Sequence, residues 1–186
     1  YVGVVGPVRT GKSTFIKNFM DLLVIPNINN EYKKERARDE LPQSAGGRTI
    51  MTTEPKFIPK EAAVIHFSNQ ETGKIRLIDC VGYLVPEAVG AIEEEKERMV
   101  KTPWSEEEIP FSKAAEIGTS KVIREHSNLG LIITTDGSFG DIPAVNFEEA
   151  LQKTVMECEK AGKPFLILVN TSRPDSQETI QFTRRL

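Results

Sequence analysis

The sequence predicts a three-layer α/β domain in which a mostly parallel central sheet lies between helices. Short apolar runs alternate with amphipathic helical patterns along the chain, and this alternation is typical of βαβ units. A glycine-rich loop directly follows the first apolar run. Two later runs are joined by a short link that contains Gly73, which predicts an antiparallel edge strand in an otherwise parallel sheet.

The strands and helices can be placed from these patterns. The predicted strands are Val2–Val5, Ala62–Phe67, Ile75–Asp79, Leu129–Thr134 and Phe165–Asn170. A helix begins at about Ser13, and its predicted buried face consists of Phe15, Ile16, Phe19, Leu22 and Leu23. Another is predicted at roughly Ala144–Ala161, ended by Gly162 and Pro164.

Two long stretches interrupt this pattern, at about 26–53 and 84–111. The first contains a charged helical segment, Glu31–Leu41, which Pro42 ends, and the second contains three consecutive glutamates at 93–95. Irregular stretches of this length in a compact domain are usually functional loops or disorder. Both fall where the switch regions of a nucleotide hydrolase would lie.

Composition and charge narrow the class of protein. The 186 residues are 39% hydrophobic and carry a net charge of −3, which suits one globular domain and gives no overall electrostatic case for a nucleic-acid partner. Cys80 and Cys158 form no framework of spaced pairs, so we expect buried thiols in a reducing compartment. The chain begins inside a strand pattern and ends in an unfinished helical one. We therefore expect residues 1–186 to be one domain of a longer polypeptide.

A phosphate-binding motif follows the first strand. The segment Gly6-Pro7-Val8-Arg9-Thr10-Gly11-Lys12-Ser13 fits the pattern G-x-x-x-x-G-K-[ST] without mismatch, and Thr14 follows it. Glycines let backbone N–H groups turn inward around phosphates, and the next helix points its N-terminus at them. Lys12 is expected to reach the β and γ phosphates, and the Ser13 hydroxyl to ligate Mg²⁺. The sequence thus predicts a P-loop nucleoside-triphosphatase with the topology of a GTPase.

The switch residues can be predicted from the same topology. Asp79 and Gly82 form an Asp-x-x-Gly motif at the end of an apolar strand, where Asp79 would hold Mg²⁺ through a water and the Gly82 amide would meet the γ-phosphate. A GTPase-like domain also needs a threonine that contacts Mg²⁺ and the γ-phosphate. Thr53 is the first candidate, followed by Thr52, with Thr49 as a further possibility.

The position that reads the base departs from that of GTPases. Guanine-specific members place Asn-Lys-x-Asp after the fifth strand, whereas this chain has Asn170-Thr171-Ser172-Arg173. Arginine has no hydrogen-bond acceptor, so Arg173 cannot read the guanine edge as the aspartate does. Asp175 is two residues out of register. We therefore expect ATP as the nucleotide, with Asn170 and Arg173 beside the base.

Two further positions bear on the rate of hydrolysis. Tyr83 follows the Asp-x-x-Gly motif, where many GTPases carry a Gln or His that orients the attacking water. A phenol is a poor substitute, which predicts slow turnover. Arg9 could supply positive charge near the β–γ bridge as a built-in arginine finger, or could form a solvent-facing ion pair of little value.

The chain as a whole resembles the N-terminal ATPase domain of the stage IV sporulation protein A family of spore-forming bacteria. The resemblance rests on VGPVRTGKSTFIKNFM, EYKKERARDELPQS, GRTIMTTEPKFIP, RLIDCVGY, the TPW at Thr102–Trp104, and GLIITTDGSFGDIP. It implies that Lys12 is the Walker A lysine, Asp79 the Walker B aspartate, and Thr52 and Thr53 the sensor threonines.

The resemblance also implies a function for the complete protein. That family is related to translation-factor GTPases but hydrolyses ATP, and it self-assembles into the basement layer of the spore coat. Its expected place is the mother-cell cytoplasm, at the surface of the outer forespore membrane. The implied partners are further copies of itself, a small amphipathic membrane-anchoring peptide and coat proteins, and nucleic acid is not expected. The parts that contact the peptide would lie outside this chain.

Three alternative functions would also use a P-loop, and each requires a different feature. A regulatory GTPase acting on ribosomes or RNA would share the fold, but Arg173 makes this function less favoured because it has no acceptor for guanine. A small-molecule kinase would need an arginine-bearing lid after the fourth strand, where the chain has Thr135-Asp136-Gly137-Ser138-Phe139-Gly140. A scaffold that keeps nucleotide only as a structural ligand would fail to hydrolyse it in a single turnover.

Overall fold

The computed structural model describes residues 1–42, 54–66, 71–88, 92–93 and 96–186. Its first elements are strand β1 (Val2–Val5), helix α1 (Lys12–Phe19), a π-helical segment (Met20–Val24), a 3₁₀ turn (Ile25–Asn27), helix α2 (Glu31–Asp39) and strands β2 (Lys56–His66) and β3 (Thr72–Asp79). Four short strands follow, which are β4 (Ile92–Glu93), β5 (Lys96–Glu97), β6 (Met99–Thr102) and β7 (Ser105–Pro110). The remaining elements are helix α3 (Phe111–Lys121), a π-helical segment (Val122–His126), strand β8 (Leu129–Thr135), a 3₁₀ turn (Ala144–Phe147), helix α4 (Glu148–Lys160), strand β9 (Phe165–Asn170) and helix α5 (Gln177–Thr183).

The central sheet confirms the predicted fold class. Within the described residues it has five strands in the order β2-β3-β1-β8-β9. Strand β1 pairs in parallel with β3 and β8, and β8 pairs in parallel with β9. Strand β2 pairs antiparallel with β3 and forms one edge, as the short link around Gly73 predicts.

Helices cover both faces of this sheet and produce the three layers. On one face Val4 of β1 packs with Ile16 of α1, and both side chains are fully buried. On the other face Val5 packs with Leu151 of α4. Successive residues of a strand point to opposite faces, so one short strand of valines serves both halves of the core.

The end of the first helix corrects the sequence prediction. Leu22 and Leu23 are 73% and 52% exposed, whereas Met20 and Val24 are fully buried. The Ile25 N–H donates to the Met20 carbonyl, an i→i+5 bond that defines a π turn. The wider turn shifts which residues face the sheet, so a single 3.6-residue period across this segment assigns the wrong leucines.

Strand β2 begins six residues before its predicted start. Pro59 has no N–H for the sheet ladder, and the register with β3 shifts between Ile58 and Ala63. This interruption hides the first half of the strand from pattern analysis, which begins it only at Ala62. The predicted end, Phe67, lies outside the described residues.

The second long stretch contains regular structure where we predicted a loop. Strands β6 and β7 form an antiparallel hairpin, and α3 begins at Phe111. The apolar pattern does not reveal α3, because much of its buried face consists of small or polar side chains, which are Ala114, Ala115, Gly118 and Thr119. The helix predicted from Ala144 starts as a 3₁₀ turn and becomes α-helical at Glu148.

The parallel strands bring the predicted motifs to one edge. Because β1, β3, β8 and β9 run in the same direction, their carboxyl ends meet there, at the usual ligand position of open α/β sheets. The P-loop leaves β1 at this edge, and Asp79 and Asn170 are the last residues of β3 and β9. Cys80 follows Asp79 and is, like Cys158, a buried free thiol, as expected.

Candidate nucleotide-binding site

The P-loop between β1 and α1 has the backbone that an anion site requires. Gly6, Arg9 and Gly11 have φ angles of +125°, +65° and +91°. A Cβ on Gly6 would lie 2.4 Å from the Ile133 carbonyl oxygen, and one on Gly11 would lie 2.4 Å from Nδ2 of Asn170. Glycine is therefore required at both positions. Such turns direct backbone N–H groups into a concavity, to which the α1 N-terminus adds partial positive charge.

The middle of the loop is held from beneath by its own residues. Thr10 is fully buried, and its hydroxyl donates to the Pro7 carbonyl across 3.0 Å. Val8 is 2% exposed, and its N–H donates to the Tyr83 carbonyl across 2.9 Å. Arg9 between them is exposed. Val8 and Thr10 thus anchor the loop, while Arg9 is its accessible side chain.

Lys12 lies under the loop with its ammonium group inside the site. It is 5% exposed, and Nζ donates to the Pro7 carbonyl at 2.5 Å and to the Gly6 carbonyl at 3.4 Å. Burial lowers the pKa of Lys12, and the nearby Cys80 and Asp79 oppose that change. A phosphate anion in the loop would favour the charged ammonium group in the same way.

Ser13 and Asp79, the two predicted magnesium ligands, lie in direct contact beside the P-loop. The Ser13 hydroxyl donates to Oδ2 of Asp79 across 3.1 Å. Oδ1 of Asp79 is buried and has no hydrogen-bond partner among the described residues. Burial raises the pKa of Asp79, and Lys12 and Ser13 oppose that increase. Thr14, next along α1, is exposed.

This donor set fits Mg²⁺. The ion takes oxygen ligands, keeps several waters and is usually bound through one or two carboxylates together with substrate phosphates. In the part of the chain that the structure describes, no cluster of three or more His, Cys, Asp and Glu side chains could hold a metal. Apart from Ser13 and Asp79, the described residues would therefore leave most positions around a magnesium ion to phosphate oxygens and water.

Gly82 contacts the P-loop directly. Its φ angle is +92°, and a Cβ there would lie 2.1 Å from the Gly6 carbonyl oxygen and 2.7 Å from Nζ of Lys12. The next residue, Tyr83, forms a parallel bridge with Pro7. The segment after β3 is thus pressed against the loop, where its backbone can respond to a phosphate group.

The Tyr83 side chain belongs to the core. The residue is 4% exposed and packs in a cluster with Val8. Nζ of Lys153 lies 4.9 Å from the ring centroid. Burial raises the pKa of the phenol, and the nearby carboxylates of Glu157 and Glu116, on α4 and α3, add to the effect. The ring therefore supports the loop from the α3–α4 side.

Asn170 and Arg173, the two predicted base contacts, have different surroundings in the structure. Nδ2 of Asn170 donates to the Thr10 carbonyl across 3.0 Å, which joins the end of β9 to the P-loop. Arg173 is exposed and forms an ion pair with Glu178 at 3.5 Å. Asp175 is also exposed. Of the two predicted base contacts, only Asn170 touches the P-loop in the described residues.

Asp136 also lies at this edge, although the sequence patterns assign it no role. It follows β8 directly, and its carboxylate accepts hydrogen bonds from Thr171 and Thr179. On sequence alone, this segment is considered only as a possible lid, which lacks an arginine, and Asp136 is given no role. A carboxylate before a glycine, directly after a buried parallel strand, is the signal that could have identified it. The threonine candidates Thr49, Thr52 and Thr53 lie outside the described residues.

Comparisons with known proteins place the chain in a family. It is 57% identical over 186 residues to stage IV sporulation protein A of Bacillus anthracis, and 58% and 52% identical over 179 residues to the proteins of that name from Bacillus subtilis (strain 168) and Clostridioides difficile (strain 630). These alignments cover 100%, 96% and 96% of this chain but only 38%, 36% and 36% of the relatives. No solved structure gave a significant match.

The family model described as "Stage IV sporulation protein A, ATPase domain" matches residues 1–186, the whole chain. Its description supports ATP hydrolysis as the activity, in agreement with the P-loop geometry. No helix within the described ranges is long and apolar enough to cross a membrane. With the family model and three relatives in agreement, the chain belongs to the ATPase-domain family of stage IV sporulation protein A.

Proposed function

We propose that this chain binds ATP with Mg²⁺ and hydrolyses it slowly. The observation that carries the proposal is the meeting of Lys12, Ser13 and Asp79 at one P-loop, where a buried oxygen of Asp79 has no hydrogen-bond partner among the described residues. A buried carboxylate oxygen without a partner is costly. A magnesium ion with its waters would satisfy it.

Each part of the loop has its own task in phosphoryl transfer. The backbone amides and Lys12 bind and orient the triphosphate, so that the γ-phosphorus faces an attacking water. Mg²⁺, held through Ser13 and Asp79 and in the proposal also through Thr53, would neutralise charge on the phosphate oxygens. The Gly82 amide would donate to the γ-phosphate. The close approach of the Gly82 backbone to Gly6 supports this proposed role.

Slow turnover is proposed because the residue after Gly82 does not enter the site. The Tyr83 ring is packed into the core beside Val8, so it is not placed to orient water as the Gln or His of other hydrolases does. Arg9 is proposed to supply positive charge near the β–γ bridge, since its backbone belongs to the loop and its side chain is exposed. Thr52 is proposed as a further sensor of the γ-phosphate.

ATP is proposed as the preferred nucleotide. Asn170 binds the P-loop, but Arg173 offers only donors where a guanine reader needs an acceptor. Adenine has neither the N1–H nor the 2-amino group that such an acceptor would bind. The alternative function is a regulatory GTPase of the translation-factor class, for which Asp175 or another residue would have to read guanine.

The test is single- and multiple-turnover hydrolysis of ATP and GTP in parallel, with Lys12→Ala as the control. We expect phosphate release from ATP, little from GTP, and none above background from the variant, because Lys12 neutralises the phosphates in a site otherwise made of amides. Faster GTP hydrolysis would favour the alternative. Hydrolysis by Lys12→Ala at the parent rate would refute the P-loop assignment.

For the complete protein, we propose that ATP hydrolysis drives self-assembly into the basement layer of the spore coat. This would occur in the mother-cell cytoplasm, at the surface of the outer forespore membrane, with a small amphipathic anchoring peptide and coat proteins as partners. The support is family membership together with exposed apolar side chains on β9, where Leu166 and Leu168 are 59% and 38% exposed. Sedimentation of the full-length protein with ATP, with a non-hydrolysable analogue and as Lys12→Ala would test it, since only the first should yield polymers.

A further inference from the structure

We propose that Asp136 is a positioning residue for the base half of the nucleotide site, because its carboxylate holds the loop after β9 in place against the P-loop. The inference rests on the proposed nucleotide-binding function and extends it to a residue outside the P-loop and switch motifs. It concerns recognition of the base and ribose side of the ligand, and it predicts no direct contact between Asp136 and the phosphates.

The carboxylate of Asp136 joins three segments of the chain. Oδ2 accepts the hydroxyl proton of Thr171 at 2.6 Å and that of Thr179 at 2.8 Å. Oδ1 accepts the N–H of Ser138 at 3.0 Å. These donors belong to the loop after β9, to helix α5 and to the loop after β8. One side chain therefore fixes the relative positions of all three.

The ionised carboxylate suits this arrangement. Partial burial raises the pKa of Asp136, but the hydrogen bonds from Ser138, Thr171 and Thr179 more than offset it and lower the pKa to about 2. A hydroxyl has a single proton, and Thr171 gives its proton to Asp136. The Thr171 oxygen then accepts the Arg173 N–H at 3.1 Å and lies 3.2 Å from the Ser138 hydroxyl oxygen.

The last residue of β9, directly before this loop, is bound to the P-loop. Asn170, directly before Thr171, donates to the Thr10 carbonyl at 3.0 Å. Ser172, directly after it, donates its N–H to Oγ of Ser138 at 2.8 Å and its hydroxyl to the Ser138 carbonyl at 3.0 Å. Three consecutive residues are thus held between the P-loop and the Asp136 loop. In the proposed function Asn170 and Arg173 lie beside the base. Asn170 belongs to this segment and Arg173 directly follows it, so the placement of both depends on Asp136.

A purely structural role would act on the whole fold, whereas a positioning role would act on one half of the ligand. Glu157 provides a matched control for this distinction. Its carboxylate also joins two elements, because Oε1 accepts the Ser120 hydroxyl at 3.0 Å and Nε–H of Arg124 at 2.6 Å. It links α4 to α3 and to the π-helical segment that follows α3, and among the described residues none of the P-loop or of the loop after β9 forms these hydrogen bonds.

The experiment compares the affinities for Mg-ATP and for inorganic tripolyphosphate, which lacks base and ribose. For Asp136→Asn we expect ATP affinity to fall at least about tenfold while tripolyphosphate affinity stays within about threefold, because only the base side is released. Glu157→Gln should leave both affinities within about twofold even where the melting temperature falls. Thr171→Val removes one Asp136 contact without touching the carboxylate, and should show the same ATP-selective loss if Asp136→Asn does not fold.

The remaining outcomes separate the inference from the proposed function. If the parent chain binds both ligands and the ATP-to-tripolyphosphate ratio is unchanged in Asp136→Asn and in Thr171→Val, the positioning role is overturned while nucleotide binding stands. Equal losses for both ligands would also overturn it, since they indicate a structural role. If the parent chain binds neither ligand, the proposed function itself fails and the inference fails with it.

Discussion

The hydroxyl of Ser13 and the carboxylate of Asp79 meet across 3.1 Å although they lie 66 residues apart in the chain. One residue belongs to the first turn of α1 and the other ends β3, so parallel pairing of β1 with β3 brings them together. The contact joins the two halves of the proposed magnesium site.

Ser13→Ala should therefore weaken nucleotide binding only when the metal is present. We expect the ATP affinity in excess Mg²⁺ to fall at least about tenfold, while the affinity in EDTA stays within about twofold, because the hydroxyl acts through the ion. Titration of labelled ATP under both conditions measures this. An equal loss of ATP affinity with and without Mg²⁺ would indicate that the Ser13 hydroxyl contacts the phosphates directly rather than through the ion.

Replacement of both Thr52 and Thr53 by alanine should separate binding from hydrolysis. The proposed hydroxyls act once Mg²⁺ and the γ-phosphate are both bound, so ATP affinity should stay largely intact while turnover slows at least roughly tenfold, about 1.4 kcal/mol of barrier. Single-turnover phosphate release checks this, with Thr49→Ala as the control. Unimpaired turnover in the double variant would move the sensor to Thr49 or elsewhere.

Tyr83→Phe should hydrolyse ATP within about twofold of the parent rate. The ring is buried and faces Lys153, so the hydroxyl is not expected to orient water. Tyr83→Ala should instead destabilise the fold by about 3–5 kcal/mol, since it empties a core position behind the P-loop. Turnover rates and urea denaturation distinguish the two effects. If Tyr83→Phe hydrolyses ATP about tenfold more slowly at unchanged stability, the phenol hydroxyl takes part in hydrolysis after all.

ATP should compete better than GTP for the site, or GTP should show no advantage. Arg173 carries only donors and is paired with Glu178, so the acceptor that guanine requires is missing. Displacement of a labelled nucleotide by unlabelled ATP and GTP measures the preference. GTP binding tighter by roughly tenfold, about 1.4 kcal/mol, would overturn the assignment, and loss of that advantage in Asp175→Ala would identify the reader.

The stabilising effect of Asp136 should depend on pH in the acid range. Its pKa is lowered from 3.8 to about 2 in the folded chain, so its contribution is fully present above the unfolded value and is lost as the pH falls toward 2. The difference in melting temperature between the parent and Asp136→Asn should stay constant at pH 5 to 7 and shrink below about pH 4. A difference that grows in acid would mean that the carboxylate is not stabilised by these hydrogen bonds.

The motifs of the site could be predicted because each of them is a contiguous segment of the chain. The P-loop needs positive φ at Gly6 and Gly11, and only glycine adopts it there without a clash. A strand before and a helix after that loop follow from short-range periodicity. Asp79 and Gly82 belong to one tetrapeptide, and its interpretation as a nucleotide-binding motif depends only on the apolar strand before it.

What the sequence by itself determined, then, is the strands of the central sheet, the helices α1, α2 and α4, the P-loop, and the absence of a guanine acceptor at Arg173. The tertiary structure decided which side chains meet. Because of the π turn after α1, Met20 is buried and Leu22 is exposed. The Tyr83 ring packs in the core and does not enter the site. Asp136 gained its partners only when β8 and β9 placed two loops side by side. These outcomes depend on contacts between residues far apart in the chain, which local periodicity does not record.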